Sequence, residues 1–520
     1  MRFLLPLFVA FLLSVSASVA QTKAFTGNDR ELAERIVAIL QRQDASQAHW
    51  GIEVVSLRDG ERRFGWNQAK LFIPASTAKL FVTAAALARL GPEFRYRTTL
   101  EASAPIGDDG QLQGDLLLVG RGDPNLSGRE LPYQPQSPRL APTTQLFEEL
   151  AGQLAAQGLR SVTGNLVVDD TYFVYQPYGQ GWEVDDLLWS YGAPISALAL
   201  NDNVVSLRVL PGASPGEPAR IRLEPPANFY EIENGVLTAA KEQATPGGGA
   251  VAAPQQRLAI DRKPGSRRVQ LWGQIPAGDS GWQGAIAIED PPQFAGELLR
   301  QELARYDIAV KGHVRVLRTH PPDVADLQGM PAPPASSRIV LAQHDSAILA
   351  ESLQIITKIS QNLHAEMLLR TLGRERRNVG SIEAGWAEIN QFLKEIGVKK
   401  DTVVLRDASG LSRQNLVTPS AMVTLLRNMY ESDLSALWLA LLPIAGEDGT
   451  LQGRLKGPAV AGRVWAKTGS LAGVAALAGY AADSNNELLA FAIFINHHNL
   501  SASAATALID RIVEEIAASR

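Results

Sequence analysis

The chain has 520 residues and no cysteine, and its 49 Lys and Arg against 54 Asp and Glu leave a formal net charge of −5. The absence of cysteine excludes disulfides and cysteine-ligated zinc, and the mildly acidic balance argues against a nucleic-acid-binding role. A hydrophobic content of 46% is enough for proper cores, and a chain of this length predicts two or three domains.

The first twenty residues have the pattern of a cleavable secretion signal. Met1-Arg2 supplies one positive charge, an apolar run extends from Phe3 to Leu13, and Ser18-Val19-Ala20 are small residues. The apolar run is too short to span a bilayer comfortably, and a buried first helix is the alternative interpretation. We expect a signal peptide over 1–20 and a periplasmic protein, in solution or loosely associated with the membrane. No integral membrane segment is expected once the signal is removed.

The segment after the signal predicts two helices separated by a hairpin. Apolar residues at helical spacing over Leu32–Leu40 predict an amphipathic helix. Gly51–Leu57 and Arg63–Asn67, joined by a short glycine-containing turn, predict a β-hairpin. The Ala- and Leu-rich stretch Ser76–Leu90 predicts a second helix, which Gly91-Pro92 ends.

The middle of the chain, from about Phe94 to Val316, contains short strand-like runs punctuated by Gly and Pro. His320–Ser337 is rich in Pro and Ala and indicates a linker. We therefore expect a mostly β inserted region over 94–337. It is expected to form two subdomains, about 94–205 with 286–337, and 206–285.

Helical patterns return after the linker, and the chain closes with strands and a final helix. The helical stretches are Ala347–Ile359, Leu363–Leu372 and Ile382–Ile396; the strand candidates are Arg463–Ala466, Ala475–Ala482 and Glu487–Asn496; a helix extends to about Ala517. Because chain termini commonly meet in one domain, residues 21–93 and 338–520 are expected to form a single catalytic domain.

Ser76-Thr77-Ala78-Lys79 is the only Ser-x-x-Lys in the chain. On a helix the two end residues share one face, so the Lys79 amine can reach the Ser76 hydroxyl. A neutral amine in a desolvated, positively charged pocket can accept the serine proton. The start of a helix also favours negative charge at Ser76. Taken singly, such a motif is usually solvated helix surface.

A second motif, Ser360-Gln361-Asn362, lies between two helical patterns. Its serine can relay a proton to a leaving group, and Asn362 can bind a substrate amide. Ser484-Asn485-Asn486 has the same spacing but lies between two strand candidates, where Asn is ordinary turn chemistry. We therefore favour the first of the two.

The third motif, Lys467-Thr468-Gly469-Ser470, comes at the end of a strand candidate. Lys467 can bind a carboxylate, Thr468 adds a hydroxyl, and Gly469 lets a substrate approach the backbone closely. The Ser470 N–H can form an oxyanion hole with that of Ser76. A single Lys-Thr-Gly is usually a turn, but three motifs in this order, each in fitting local structure, predict a serine acyl-enzyme hydrolase.

In this order the three motifs resemble the signature of penicillin-binding proteins and serine β-lactamases. Further segments resemble the D-alanyl-D-alanine carboxypeptidase/endopeptidase family, the class C low-molecular-mass penicillin-binding proteins, which has a large insertion after the first motif. These segments are Gly120–Pro124, Val168–Phe173, Ala193–Leu198, Asp407–Arg413 and Ala445–Leu451. The resemblance covers nearly the whole mature chain. It departs at Gln361, where the family usually has Asp; little consequence is expected there, although the local hydrogen bonds must differ.

The resemblance implies an α+β fold, a penicillin-binding/serine β-lactamase-like transpeptidase domain in which helices pack on an antiparallel sheet, with a large mostly β insertion. It also implies that Ser76 attacks the carbonyl of the penultimate D-Ala with Lys79 as base. The terminal D-Ala then leaves, protonated through Ser360, and water hydrolyses the acyl-enzyme. Lys467 and Thr468 would hold the terminal carboxylate.

Three further site residues come from the resemblance. Ser409 and Arg413 resemble family residues near the substrate side chain, and Asp170 in the insert would close that pocket from above. The implied partners are peptidoglycan stem peptides ending in D-Ala-D-Ala and β-lactam antibiotics, with endopeptidase activity beside carboxypeptidase activity. No metal or organic cofactor is implied.

Two other functions remain as alternatives. A β-lactamase or esterase would turn penicillin over rapidly at Ser76, and a non-catalytic peptidoglycan-binding protein would use the insert as its adhesion surface.

A different nucleophile is suggested by Gly278-Asp279-Ser280-Gly281, which is similar to the nucleophile segment of trypsin-like proteases. It is disfavoured because no upstream histidine has the required context.

Overall fold

The computed structural model describes residues 27–126, 129–134, 142, 144–225, 229–240, 257–332 and 337–520. The signal peptide expected over 1–20 lies outside these residues and stays a prediction. Within the described residues, no helix is both long and apolar enough to cross a membrane.

The described part of the chain begins with a helix, a hairpin and a second helix, close to the predicted pattern. These elements are α1 (Gly27–Leu40), β1 (His49–Ser56), β2 (Arg62–Trp66) and α2 (Lys79–Leu90), with a 3-10 turn (Ala75–Ala78) directly before α2.

The central region alternates short strands with two helices. Its elements are β3 (Arg97–Ala102), β4 (Gln111–Leu112), β5 (Leu116–Val119), β6 (Asp123–Leu126), α3 (Gln145–Ala156), β7 (Ser161–Val162), β8 (Leu166–Val174), β9 (Leu198–Leu200), β10 (Val204–Leu210), β11 (Arg220–Glu224), β12 (Glu231–Ala239), β13 (Arg257–Asp261), β14 (Arg268–Pro276), β15 (Trp282–Ala287), α4 (Pro291–Arg305), β16 (Ala309–Val310) and β17 (Val314–Thr319).

The last part of the chain is mainly helical, and three long strands precede its final helix. Its elements are β18 (Ile339–Asp345), α5 (Leu349–Lys358), α6 (Asn362–Arg377), α7 (Ile382–Glu395), β19 (Val403–Val404), β20 (Leu416–Val417), α8 (Pro419–Glu431), α9 (Ser435–Leu441), β21 (Val464–Leu471), β22 (Val474–Ala482), β23 (Leu488–Asn496) and α10 (Ala502–Ala517).

Both ends of the chain contribute to one five-stranded antiparallel sheet, in the order β2-β1-β23-β22-β21. Successive side chains of a strand point to opposite faces, so the continuous apolar runs of β22 and β23 bury both faces. Leu477 and Ile493 pack in a core with α1 and α10, whereas Ala478 and Phe494 pack in a core with α2, α5, α6, α7, α8 and α9. The sheet therefore lies between a two-helix layer and a larger helical layer, with β21 at its edge.

The insert is built around a mixed five-stranded sheet, in the order β17-β8-β5-β3-β18. Its core includes Leu118 of β5 and Val168 of β8, and it extends into the smaller sheets through Leu207 and Val269. The predicted domain boundaries stay a prediction. β18 lies on the C-terminal side of the boundary expected at 338, and it is hydrogen-bonded to β3.

The two helices of the insert, α3 and α4, were not predicted from the sequence. Phe147, Leu150 and Leu154 of α3 are buried at helical spacing. The side chain of Asp290 caps α4 by accepting from the Gln293 N–H, and two prolines occupy the first turn. The helical spacing of apolar residues in α3 and the Asp-Pro-Pro start of α4 can both be seen in the sequence. They were missed because the surrounding Gly- and Pro-rich runs indicate strands and turns.

Candidate active site

Ser76 lies in the 3-10 turn, and the α-helix predicted to begin at Ser76 begins instead at Lys79. The preceding residues are fixed by hydrogen bonds. Phe72 exchanges backbone bonds with Val417, and Asn496 bonds both the N–H and the carbonyl of Ile73, at 2.7 and 3.1 Å. These contacts attach the nucleophile segment to β20 and to the end of β23.

Lys79 is completely buried at the start of α2, and its amine faces three acceptors. Nζ donates to Ser76 Oγ at 2.9 Å, to Asn362 Oδ1 at 2.7 Å, and to the Ser409 carbonyl. Burial lowers the pKa of Lys79 to about 7, although the carboxylates of Asp407 and Glu366 act in the opposite direction. The amine therefore changes charge near neutral pH and can accept the Ser76 proton.

Ser360 lies in the turn between α5 and α6, and Asn362 is the first residue of α6. Ser360 has a φ of +67°, and its Oγ accepts a hydrogen bond from Lys467 Nζ at 2.8 Å. The Nδ2 of Asn362 donates to the carbonyl of Tyr191, which belongs to the insert. The first two motifs therefore meet at Lys79, and the third joins them at Ser360.

Lys467 lies on the edge strand β21 and is completely buried. Its Nζ donates to two neutral acceptors, Ser360 Oγ and the Thr468 carbonyl, each at 2.8 Å. Burial, with a smaller contribution from nearby Lys79, lowers the pKa of Lys467 well below its ordinary value. An arriving carboxylate would restore the charged amine, so this pocket is suited to an anionic group.

Thr468, Gly469 and Ser470 continue along β21. Thr468 Oγ1 donates to Thr450 Oγ1 at 2.8 Å, and Ser470 is exposed. A Cβ at Gly469 would lie 2.7 Å from the Pro74 carbonyl oxygen and 3.1 Å from the Ser76 nitrogen. Gly469 therefore allows the nucleophile segment itself to approach the strand, whereas the sequence analysis assigned that space to substrate. Thr450 was not predicted; its signal lay in the Ala445–Leu451 run.

Ser409 contributes its carbonyl to the site and turns its side chain away. Its buried Oγ donates to Asp407 Oδ2 at 2.9 Å. The expectation that Ser409 lies near the side chain of the substrate stays a prediction. The two carboxylates that hold the carbonyl in place were not predicted as site residues. Glu366 accepts from the N–H groups of Ala408 and Ser409, and Asp407 accepts from Gly410, Ser412, Asn415 and Trp182.

Glu366 is also paired with Arg370, as the spacing of the two residues predicts for a helix. The Glu366 Oε2 to Arg370 Nη1 distance is 3.1 Å, and both side chains are completely buried. Burial raises the pKa of Glu366. The pair is thus part of the support beneath Ser409, and it is not a surface pair.

Asp170 was expected to close the substrate pocket from above, and that role stays a prediction. It lies in β8, buried within the insert, where Oδ1 accepts from Ser196 Oγ and from the Ala197 N–H, both at 2.7 Å. Burial raises its pKa to about 7. The carboxyl group fixes the loop before β9, because its partners are inside the insert.

Arg413 lies at the rim of the site and spans two elements. Its Nε donates to Glu183 Oε1 of the insert at 2.9 Å, and Nη1 donates to the carbonyl of Ala472 after β21 at 3.0 Å. Both side chains of the ion pair are partly exposed. A substrate that enters at this rim would contact both the guanidinium of Arg413 and the carboxylate of Glu183.

Gly410 offers a test of how closely the nucleophile segment is held. It has a φ of +82°, and a Cβ there would lie 2.0 Å from the Ala75 carbonyl oxygen and 2.8 Å from the Ser76 nitrogen. Gly410→Ala should slow acylation on the order of 100-fold, because it displaces Ser76 from Lys79. The measurement is the rate of acylation by a chromogenic β-lactam, per mole of folded protein.

Gly397 is the matched control for this substitution. Its φ is +79°, and an added Cβ would have no described atom within 4 Å. Gly397→Ala should therefore lower only the melting temperature, since a side chain in the left-handed region is strained. Equal acylation rates for the two variants would contradict this account of Gly410.

This chain is similar to known proteins over most of its length. Residues 32–517 match the family described as D-Ala-D-Ala carboxypeptidase 3 (S13). The chain is 35% identical over 514 residues to D-alanyl-D-alanine carboxypeptidase from Actinomadura sp. (strain R39), covering 97% of this chain and 87% of that protein. It is 28% identical over 438 residues to D-alanyl-D-alanine carboxypeptidase DacB from Haemophilus influenzae, covering 84% and 82% of the two chains.

A solved structure shares the fold. The crystal structure of penicillin-binding protein 4 (dacB) from Haemophilus influenzae superposes with a TM-score of 0.77 at 25% identity, covering 92% of this chain and 98% of that one. This similarity confirms the predicted α+β fold of the penicillin-binding type.

Proposed function

Because the chain belongs to the D-Ala-D-Ala carboxypeptidase 3 (S13) family, we propose that it hydrolyses peptides ending in D-Ala-D-Ala through an acyl-enzyme on Ser76. The observation that carries the proposal is the contact between Ser76 Oγ and a buried amine. Lys79 Nζ lies 2.9 Å from Ser76 Oγ, and its pKa of about 7 makes it a base at neutral pH.

Acylation begins when neutral Lys79 takes the Ser76 proton. Oγ then bonds to the carbonyl carbon of the penultimate D-Ala, and the bond from that carbon to the terminal D-Ala nitrogen breaks. The protonated Lys79 amine passes the Ser76 proton on through Ser360, which donates to the leaving nitrogen, so that Lys79 is neutral again. Lys467 Nζ, 2.8 Å from Ser360 Oγ, holds that hydroxyl in place. The backbone N–H groups of Ser76 and Ser470 would stabilise the oxyanion.

Deacylation reverses the proton movements around the same serine. Water attacks the ester carbon, its proton passes to the Lys79 amine, and the ester bond to Oγ breaks as Oγ regains a proton. The shortened peptide leaves with a new carboxyl group. These steps need only side chains of this chain and water, so the proposal includes no cofactor.

The substrate's terminal carboxylate is proposed to bind at Lys467 and Thr468. Asn362 would bind a substrate amide. Cleavage of cross-linked peptidoglycan peptides, an endopeptidase activity, is proposed to use the same site. Penicillin and other β-lactams are proposed as ligands, since they present a strained amide and a carboxylate to the same groups.

Lys467→Ala should remove most of the preference for a free C-terminal carboxylate. A charge-assisted hydrogen bond contributes about 1.5–3 kcal/mol, so kcat/KM for a D-Ala-D-Ala peptide should fall roughly ten- to a hundredfold. KM should rise because part of the contact exists in the ground state, and kcat should fall because part of it orients the carbonyl. The measurement compares the peptide with its C-terminal amide.

Arg413→Ala is the companion variant, because Arg413 is a partly exposed cation at the rim of the site. It should keep the preference for the carboxylate over the amide. If Lys467→Ala discriminates as well as the wild type and Arg413→Ala does not, the anchor is Arg413.

The two alternative functions give different results with penicillin. A β-lactamase or esterase would release product rapidly, whereas the proposed enzyme keeps a long-lived acyl group. A non-catalytic peptidoglycan-binding protein would not be acylated. The buried Lys79 amine next to Ser76 favours the enzyme, since an adhesion surface has no use for it.

We also propose that the protein acts in the periplasm, where peptidoglycan is accessible. The support is the signal-like sequence over 1–20 together with the family's named substrate. N-terminal sequencing of exported protein should begin at Gln21; a retained Met1 would contradict the proposal.

A further inference from the structure

The segment of the insert between β9 and β10 has an unusual backbone. Asn201, Asp202 and Asn203 have φ angles of 54°, 54° and 55°. Few residues other than glycine adopt this left-handed region, and strained residues concentrate at functional sites. All three residues are buried. A run of three such residues therefore calls for an explanation.

The two asparagines hold the backbone of this segment in place. Asn201 Nδ2 donates to the Val204 carbonyl, and Asn203 Nδ2 donates to the Pro194 carbonyl, both at 2.8 Å. Their side chains are thus directed into the insert. The side chain of Asp202, between them, contacts α6.

The Asp202 carboxylate binds residues at the start of α6. Oδ2 accepts from Gln361 Nε2 at 2.9 Å and from Arg129 Nη2 at 2.7 Å, and Oδ1 lies 2.9 Å from His364 Nε2. Gln361 also caps the helix, because its Oε1 accepts from the Leu363 N–H at 2.9 Å. One carboxylate of the insert thereby holds two side chains of the first helical turn.

That turn carries two groups of the proposed chemistry. Asn362 follows Gln361 and contacts Lys79 at 2.7 Å, while Ser360 precedes it and contacts Lys467 at 2.8 Å. Any movement of Gln361 would therefore change both distances. The alignment needed for acylation is sensitive to displacements of this kind.

We propose that Asp202 is a positioning residue for acylation, which fixes the Ser360–Asn362 turn from the insert through the amide of Gln361. The proposal rests on the proposed function. Gln361 suits this role because its amide offers an acceptor to the helix N–H and a donor to the carboxylate. An acidic side chain at 361 would place two carboxylates together, which is unfavourable.

The test exchanges the donor and the acceptor. Gln361→Glu and Asp202→Asn should each lower the acylation rate by a chromogenic β-lactam roughly tenfold or more, since each breaks a charge-assisted hydrogen bond. The double variant Asp202→Asn/Gln361→Glu restores one donor and one carboxylate and should recover part of the rate, because the ion pair of Asp202 with Arg129 is still lost. Binding before acylation should change less than the acylation step itself.

Asp169→Asn is the matched control. Asp169 is 5% exposed against 4% for Asp202, lies in the insert, and pairs with Arg338 at 2.8 Å. This variant should acylate at the wild-type rate even if its melting temperature falls.

Wild-type rates in folded Gln361→Glu and Asp202→Asn would overturn the proposal, as would a double variant no faster than the single variants. If Asp202→Asn does not fold, the acylation rate of Gln361→Glu alone tests the proposal. Failure of the wild type to acylate would instead contradict the proposed function.

Discussion

Penicillin is expected to add its own mass to this protein at one residue, Ser76, and Ser76→Ala should abolish both the label and the peptidase activity. Ser76 Oγ lies 2.9 Å from the Lys79 amine, which is the base in the proposed reaction. Removal of a nucleophile costs roughly 10⁴-fold or more in rate, because the remaining groups cannot form the acyl-enzyme. Mass spectrometry of the intact protein, followed by peptide mapping, measures the label directly.

Ser280→Ala is the control for this experiment. Ser280 lies in the turn between β14 and β15, where Asp279 Oδ1 accepts from the Gly281 N–H at 2.8 Å. That arrangement is a turn stabilised by aspartate, so the variant should label and hydrolyse as the wild type does. A label on the peptide that contains Ser280, or a labelled Ser76→Ala protein, would exclude Ser76 as the nucleophile.

Lys79→Arg should slow acylation by roughly 10³-fold or more while the protein stays folded. A guanidinium keeps the positive charge, but it does not lose a proton in proteins and cannot serve as the base. The wild-type acylation rate should rise with pH through about 7, because the Lys79 pKa is lowered to that value and the amine is neutral above it. The arginine variant should lack this rise. The measurement is the rate of acylation from about pH 5 to pH 9.

Lys70→Arg makes the same substitution at an exposed lysine just before the nucleophile segment. It should keep both the wild-type rate and the rise with pH. Near-normal acylation by folded Lys79→Arg would mean that another group accepts the serine proton. Glu366 and Asp407 are carboxylates close to Lys79 and would be the candidates for that group. Glu366 accepts a hydrogen bond from the Ala408 N–H, and Asp407 accepts one from the Gly410 N–H.

The sequence was sufficient to predict the helices and strands that are marked by the pattern of apolar residues within a short segment. The closing strands were placed to within a few residues, except that β21 continues through Leu471, because their apolar runs are uninterrupted. The Ser-x-x-Lys spacing also predicted the contact between Lys79 and Ser76. The contacts of Asn362 with Lys79 and of Ser360 with Lys467 were not predicted. Family membership and fold class were confirmed by the comparisons.

Side-chain direction could not be predicted in the same way. Asp170 and Ser409 stand in segments that resemble the family, but Ser196 and Asp407 determine where their side chains point. Those partners are brought together only by the fold. Little consequence was expected from Gln361 because that position does not carry a proton. Its partner, Asp202, lies far away in the chain and outside the three motifs, so this contact could not be predicted.

The pairing of β1 with β23 has a consequence for the order of events when the protein is made. His49 is aligned with Asn496, so this strand pair joins residues separated by most of the chain. Contacts of such high sequence separation form slowly, because a long loop must close before they stabilise anything. The segment that carries Ser76 is bonded by Asn496 through Ile73, so its final geometry requires the last strand. A chain synthesised only as far as α9 would thus contain the nucleophile without the scaffold that activates it, and hydrolytic activity would begin only after β23 has been made.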